Sequence, residues 1–427
     1  MDLRLSQRLF VIITTIILSG CTIIKPVNQG STPEERMNMT LGVLADDMME
    51  GRAVGTMGEW RAANYIAGKF MTIGLAEKGD SSWFQAFSFV PHAPAQVHHT
   101  GDSAALGMAL VKEIRGRNVI AYLDNQAANT VVIGAHYDHL GMGDENSLWT
   151  GPKGIHNGAD DNASGVAMLV ELASWLVEKP AGTTKSNYLF IAFSGEEKGL
   201  WGSNYFTKHP TIDLRNVSYM INMDMVGRLN GEKSLAINGT GTCPDWNQIL
   251  PQIAVDEIKI VTSESGVGPS DHTSFYLVDI PCLHFFTGQH EDYHKPTDDA
   301  EKVNYKGMVS VLKYIQAVVT TMDNRPKPQF TKTVDKTPSS SDFKVTLGIM
   351  PDYLYSGPGL RVDGVKEGRP ASKAGIIKGD IIIKLGEKAI DGMQAYMEAL
   401  GMFELGQTVD CIVQREGKDT PLKVTFE

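Results

Sequence analysis

Apolar residues recur at helical spacing over residues 59–75, where Ala62, Ile66, Phe70 and Ile73 fall on one face and Gly74 offers a stop. This spacing predicts a surface helix. A loop-rich stretch follows over residues 78–102. The pattern then changes to short runs rich in β-branched residues at 118–123, 130–135, 188–193, 217–223 and 280–286, each of strand length. Long amphipathic segments lie between several of these runs, notably 164–179, which Pro180 ends, and 304–322. Strands alternating with helices predict an α/β domain whose mixed, largely parallel central sheet is flanked by helices on both faces. From 326 to 342 the chain turns polar and proline-rich without periodicity, which reads as a linker. Residues 343–427 then form a unit of short strands and one helix, large enough to fold alone.

Composition changes this picture little. The length of 427 residues exceeds one hydrophobic core, and 42% hydrophobic with 21% charged residues is ordinary for a globular protein. A net charge of -11 without clustered Lys and Arg argues against nucleic acid as a partner. The N-terminus says more, because Arg4 and Arg8 precede an apolar run over 9–18 that is too short for a spanning helix of about 20 residues. This run ends in Leu18-Ser19-Gly20-Cys21, which resembles the bacterial lipobox. That resemblance implies a lipoprotein signal peptide over 1–20, acyl chains on Cys21 and a tether over 21–32. The expected location is the cell envelope, with Thr22 after the cysteine pointing to the outer membrane and its periplasmic face. A large domain over 33–325, the linker over 326–342 and the terminal unit over 343–427 complete the expected organisation. Cys243, Cys282 and Cys411 allow at most one internal disulfide, and their spacing contains no Cys-x-x-Cys element for a zinc ribbon or redox pair.

In open α/β sheets ligands bind beyond the carboxyl ends of the strands, so the residues that follow each predicted strand carry the chemistry. His136-Tyr137-Asp138-His139 follows the run at 130–135, Ser194-Gly195-Glu196-Glu197 follows 188–193, and Asp224 follows 217–223. Gly158-Ala159-Asp160-Asp161-Asn162-Ala163-Ser164-Gly165 opens a predicted helix, and Tyr293-His294-Lys295-Pro296-Thr297-Asp298 stands late in the domain. Alone, each such segment reads equally well as a cap or a solvated loop. Together they deliver His, Asp and Glu to one sheet edge, the ligand set that zinc prefers. Two histidines and three carboxylates over-supply one tetrahedral site yet fill two if one carboxylate bridges. Paired ions about 3.5–4 Å apart can clamp a water and polarise a carbonyl.

In this order the motifs closely resemble the co-catalytic two-zinc aminopeptidases of bacterial and vacuolar type, over roughly residues 40–322. The resemblance implies that His136, Asp160 and Asp224 hold one Zn2+ ion and that Asp160, Glu197 and His294 hold the other, with Asp160 as the bridge and Asp161 as the alternative. It also implies a cis peptide between the bridging aspartate and its neighbour, at Asp160–Asp161. Glu196 would be the general base and acid, Asp138 would accept the second ring N–H of His136, and Tyr293 would donate to the oxyanion or merely pack. The implied reaction is hydrolysis of the N-terminal residue of a peptide by a water held between the ions. The rivals are a carboxypeptidase, which needs a cationic pocket, a one-zinc glutaminyl cyclase on a related fold, and a peptide-binding lipoprotein with a vestigial site.

Other residues take blander readings. His139, His156, His272, His284 and His290 read as loop or core histidines, Asp271-His272-Thr273-Ser274-Phe275 as a pocket-shaping loop, and Trp201 and Phe206 as core. The short interval between Leu75 and His136 leaves no room for a full-sized inserted domain. Near the C-terminus, Leu347-Gly348-Ile349-Met350 and the segment from Ala374 through Asp380 to Ile390 resemble a PDZ domain. Such domains add an extended peptide as a strand and cradle its terminal carboxylate on backbone N–H groups, here those of the loop holding Gly348 and Ile349. Peptide or protein C-termini are the expected partners there, unless the groove is closed.

Overall fold

The computed structural model describes residues 31–90, 113–143, 146–333, 345–352, 355, 357–365 and 368–427. Cys21 and the expected signal peptide lie outside these residues. No described helix is long and apolar enough to cross a membrane.

Helix α1 (Pro33–Leu44) starts at a capping box, in which Thr32 and Glu35 satisfy each other's backbone N–H groups. Helix α2 (Met57–Ile73) ends at Gly74, whose φ of 91° is the left-handed stop expected from the sequence. The strands of the first domain are β1 (Ala76–Glu77), β2 (Phe84–Phe89), β3 (Ile114–Leu123), β4 (Thr130–His136), β5 (Asn187–Phe193), β6 (Val217–Met223), β7 (Ser234–Asn238), β8 (Lys259–Ser263) and β9 (Cys282–Phe286). They form one sheet in the order β1-β3-β5-β4-β6-β9-β7-β8, with β2 paired to β3. The central strands β5, β4, β6 and β9 run parallel, whereas β3 and β7 join antiparallel. The mixed, largely parallel sheet expected from the sequence is thus the one observed.

Strand periodicity distributes the core between two faces. Val131, Ile133 and Ala135 of β4 and Tyr188, Phe190 and Ala192 of β5 face the helices α1, α2, α3 (Gly165–Val177) and α7 (Tyr305–Asp323). Val132, Leu189, Ile191 and Phe193 point the other way, onto Phe206 of α4 (Trp201–Lys208) and Phe275 of α6 (His272–Tyr276), on either side of the short α5 (Pro244–Ile249) in sequence. Phe206 is therefore core, as expected, and Trp201 stacks on Phe89 at 4.6 Å.

The stretch read as loop-rich contains a strand. Phe87 and Phe89 of β2 are buried while Ala86 and Ser88 are exposed, an alternation that the flanking polar residues concealed. The first part of the expected linker is also fastened down. Phe330 packs on Tyr276, and the Thr331 N–H donates to Thr242 O at 2.8 Å. All three described cysteines are free and buried.

The C-terminal unit comprises β10 (Ile349–Pro351), β11 (Leu360–Val365), α8 (Pro370–Ala374), β12 (Ile381–Leu385), β13 (Lys388–Ala389), α9 (Met393–Leu400), β14 (Thr408–Arg415) and β15 (Lys418–Thr425). Its antiparallel sheet runs β10-β11-β12-β14-β15 around its own core, which includes Leu347, Ile382, Ala399 and Phe426. Gly348, with φ of 72°, leads into β10, which pairs only with β11 among the described strands. This leaves an edge of the kind that accepts an added strand.

One buried cation organises the loops at the carboxyl end of the large sheet. Arg52 is completely buried, and its guanidinium donates to the carbonyls of Tyr137 (2.7 Å), Leu44 (2.6 Å), Asn157 (2.6 Å) and Gly158 (2.9 Å). Burial pulls its pKa down to about 10, opposed by Asp161, Asp138 and Asp298, so it remains cationic at neutral pH. Removing it would strand several buried carbonyls together. Arg52→Met is expected to cost at least about 3 kcal/mol of stability, measured by chemical denaturation; a loss under about 1 kcal/mol would show that these loops hold without it.

Candidate active site

The loops at the carboxyl ends of β4, β5 and β6, joined by the segment after β9, converge on a cleft with an empty volume of about 560 Å³. Its lining includes His136, Asp161, Glu196, Glu197, Asp224 and His294. Five of these six were expected at the centre; the sixth, Asp161, stands where Asp160 was expected.

The carboxylate of Asp161 lies between two histidines. Its Oδ1 is 3.4 Å from His136 Nε2 and its Oδ2 is 3.2 Å from His294 Nε2. On one side His136 Nε2 is 3.3 Å from Asp224 Oδ1, and on the other His294 Nε2 is 3.3 Å from Glu197 Oε2. Nitrogen and oxygen ligands at 2.0–2.1 Å from a tetrahedral ion stand about 3.3–3.4 Å apart along each edge, so both sets have the spacing of zinc ligands. The ring tautomers agree with that use. His294 Nδ1 bonds Asn146 O at 2.8 Å and His136 Nδ1 bonds Asp138 O at 3.2 Å, which leaves each Nε2 lone pair facing the carboxylates.

Asp160 is engaged elsewhere. Its Oδ1 accepts the Gly227 N–H at 2.6 Å, and its Oδ2 faces His290 Nε2 at 3.1 Å. Two neighbours set which way the pair of aspartates turns. Asp298 Oδ2 accepts the N–H groups of both Asp160 (2.9 Å) and Asp161 (3.0 Å), while Arg228 donates to the other oxygen of Asp298. Asn162 ties the same turn to the end of β6: it donates to Met223 O and accepts from Met225 N–H and Gly165 N–H. The position between His136 and His294 expected for Asp160 is thus occupied by Asp161, and the cis peptide lies one residue later than expected, at Asp161–Asn162. The turn is tight enough to require Gly158, whose φ is 55° and whose Cβ would come within 2.1 Å of Asp161 O.

The remaining expected residues divide. Glu196 lies with His136 and Asp224, its ligand atom within 4.8 Å of theirs. Asp138 is completely buried, yet its Oδ1 is 3.8 Å from His136 Nδ1 and instead accepts the Glu196 N–H at 3.2 Å. It positions Glu196 by a direct bond, while its backbone carbonyl, rather than its side chain, serves His136. Tyr293 stacks on His294 at 3.8 Å and lines the cleft. Two histidines read as bland belong to the site's surroundings. His139 is buried with Nδ1 at 2.7 Å from Glu197 Oε1, a hydrogen-bond distance, which leaves Oε2 of Glu197 for the side facing His294. His290 Nε2 faces Asp160 Oδ2. Neither role was visible from sequence, because both depend on loops brought together only by folding.

The electrostatics follow from crowding carboxylates out of water. Burial pushes Glu196 well above the ordinary carboxylate range, with Asp224 and Glu197 adding to it and His136 opposing. Asp138 is raised to about 8, chiefly by burial. Burial also opposes the ionised form of Glu197, yet His294 and His139 hold its pKa well below the usual value. His136 and His294 are both raised, because the adjoining carboxylates outweigh the desolvation of their charged forms. The cluster therefore attracts positive charge to its centre.

A mixed α/β sheet thus carries two sets of side chains with metal-ligand spacing at its carboxyl edge. Residues 118–319 match the model of peptidase family M28, and residues 334–426 match that of the PDZ domain. A probable leucine aminopeptidase of Trichophyton verrucosum is 32% identical over 171 residues, which are 38% of this chain and 44% of that one. The chain spans about half the length of the curated relatives it matches. Among solved structures, LapA of Legionella pneumophila superposes with a TM-score of 0.51 at 20% identity, covering 68% of this chain and 73% of that one. A glutaminyl cyclase from Bacteroides thetaiotaomicron superposes equally well, with a TM-score of 0.51 at 17% identity over 69% of this chain and 98% of that one. At these identities the likeness establishes the fold, which accommodates both kinds of protein.

The two aspartates are separable by experiment. Asp161→Asn is expected to lose bound divalent metal, whereas Asp160→Asn keeps it, measured by elemental analysis of folded, dialysed protein. Retention in the first variant with loss in the second would restore Asp160 to the bridge.

Proposed function

We propose that the protein is a metallo-aminopeptidase that removes the N-terminal residue of peptides, using two zinc ions that share Asp161 and Glu196 as the proton carrier. The observation that carries this reading is the Asp161 carboxylate flanked on both sides by zinc-spaced sets, His136 with Asp224 and His294 with Glu197. When bound, the ions lower the pKa of a water and polarise the scissile carbonyl.

The chain's own residues supply the rest. Glu196 accepts the proton of the attacking water on its carboxylate and returns it to the departing amine. Its burial beside Asp224 and Glu197 raises its affinity for that proton, which suits the return step, and Asp138 fixes its backbone. Tyr293 stacks on His294 and lines the cleft, which supports assigning its phenol as the donor to the carbonyl oxygen as charge develops. Among the described residues the cleft lining is acidic and contains neither Arg nor Lys, which favours a substrate's free ammonium over a terminal carboxylate and weighs against a carboxypeptidase. The PDZ domain supports a second peptide contact at the edge of β10, beside Gly348 and Ile349.

A panel of free and N-acetylated peptides tests the proposal, with products identified by mass spectrometry. Free peptides should lose their first residue in a chelator-sensitive reaction, and Glu196→Ala should lower kcat by about 10²–10⁴-fold while metal stays bound. Equal cleavage of acetylated peptides would contradict the aminopeptidase reading. A pyroglutamyl product from glutamine-initiated peptides, without release of the residue, would favour cyclisation.

A further inference from the structure

The cleft wall that includes Pro269 belongs to residues 264–271, which join β8 to α6 without regular secondary structure. Both ends of this loop are fastened within the large domain. At its start Glu264 O accepts the Gly241 N–H at 3.0 Å. Towards its end the Ser270 hydroxyl accepts from Asn222 Nδ2 at 2.8 Å, and Thr273 Oγ1 accepts the Gly268 N–H at 2.8 Å. The middle is fastened by a distant part of the chain. The buried Gly266 N–H donates to Thr333 Oγ1 at 3.3 Å, and Gly266 lies so close over the Tyr276 ring that a Cβ there would come within 2.1 Å of it. The Tyr276 hydroxyl in turn accepts from Thr333 N–H at 3.0 Å and from the Thr333 hydroxyl at 2.9 Å. Thr333, the loop and α6 therefore meet at one junction.

The residues before Thr333 hold it there. Phe330 packs on Tyr276 with ring centroids 5.5 Å apart, and the Thr331 N–H donates to Thr242 O at 2.8 Å. The match to the PDZ domain begins at residue 334, the next along the chain. We infer that residues 330–333 form a strap that positions the 264–271 wall for peptide binding, so that the segment leading into the C-terminal domain sets substrate affinity in the cleft. This rests on the aminopeptidase reading above. Thr333 and Tyr276 act through the loop backbone, as positioning residues, and the wall they steady presents Pro269 to the cleft. Without the Thr333 hydroxyl the buried Gly266 N–H loses this acceptor, and a loop without regular structure then opens more often. A wall in its binding position for only part of the time weakens apparent affinity by that fraction, while the chemistry of a bound peptide is unaltered.

The test uses the full-length protein with Thr333→Val and Tyr276→Phe, which delete the two hydroxyls with little change of shape, and with Thr333→Ser, which keeps the first. The two deletions are expected to raise KM for a free peptide about three- to tenfold, the worth of one hydrogen bond, with kcat within about twofold, whereas Thr333→Ser keeps the unaltered KM. Because both hydroxyls serve one junction, the double variant should be little worse than either deletion alone. Backbone hydrogen exchange followed by mass spectrometry should quicken over 264–271 in both deletions and stay unchanged over β4 and β6. An unmoved KM, a fall in kcat without a rise in KM, or exchange over 264–271 that does not quicken would overturn the inference and leave the aminopeptidase reading intact. If the unaltered protein cleaves no peptide, that reading falls, and exchange over 264–271 decides the strap alone.

Discussion

Carboxylates crowded into a water-poor cleft repel one another, and this repulsion constrains everything around the site. Asp138, Asp161, Glu197 and Asp298 are buried, and Glu196 and Asp224 lie beside them. Without compensation such groups would be driven to bind protons. The protein supplies compensation in two layers. Arg52 lies behind the cluster, bonded to the backbone of its loops, while Arg228 and His290 satisfy Asp298 and Asp160 to one side. In the inner layer the Nε2 atoms of His136 and His294 face the carboxylates of Asp161, Asp224 and Glu197, which is where the proposed ions would add their charge.

This division explains why adjacent aspartates take different parts. Asp160 is already engaged by His290 and the Gly227 N–H, so both its oxygens have partners within the protein. Among the described residues the Asp161 carboxylate faces histidine nitrogens that also face other carboxylates, with the Arg52 charge behind it. The hydrogen bonds of Asp298 and Asn162 fix this outcome by holding the turn in one orientation. A site of this kind is prepared in advance rather than assembled around its ligand, which is what electrostatic catalysis requires.

Much of this was legible in the sequence, and the exceptions have physical causes. Strands β4, β5 and β6 were readable because both faces are buried, giving near-continuous apolar runs, and their ends located His136, Glu196, Glu197 and Asp224. Helix α2 was readable from its period and its Gly74 stop. Spacing alone cannot tell which of two neighbouring aspartates turns inward, because that depends on Asp298, which reaches the turn from far along the chain. The likeness to two-zinc aminopeptidases located residues that converge on the cleft, but between His136 and His294 stands Asp161 rather than Asp160. Strand β2 was concealed by its polar surroundings, although Phe87 and Phe89 carried the alternation. His139 and Arg52 carried no signal of their own, since a lone histidine or arginine gains its meaning only from the loops that fold against it.

The central claim is that two ions share Asp161. Anomalous diffraction at the zinc edge from crystals grown with zinc tests it most directly. The account predicts two peaks about 3.5–4 Å apart, one beside His136 and Asp224 and one beside His294 and Glu197, with the Asp161 carboxylate between them. A single peak, or one centred on Asp160 and His290, would contradict it.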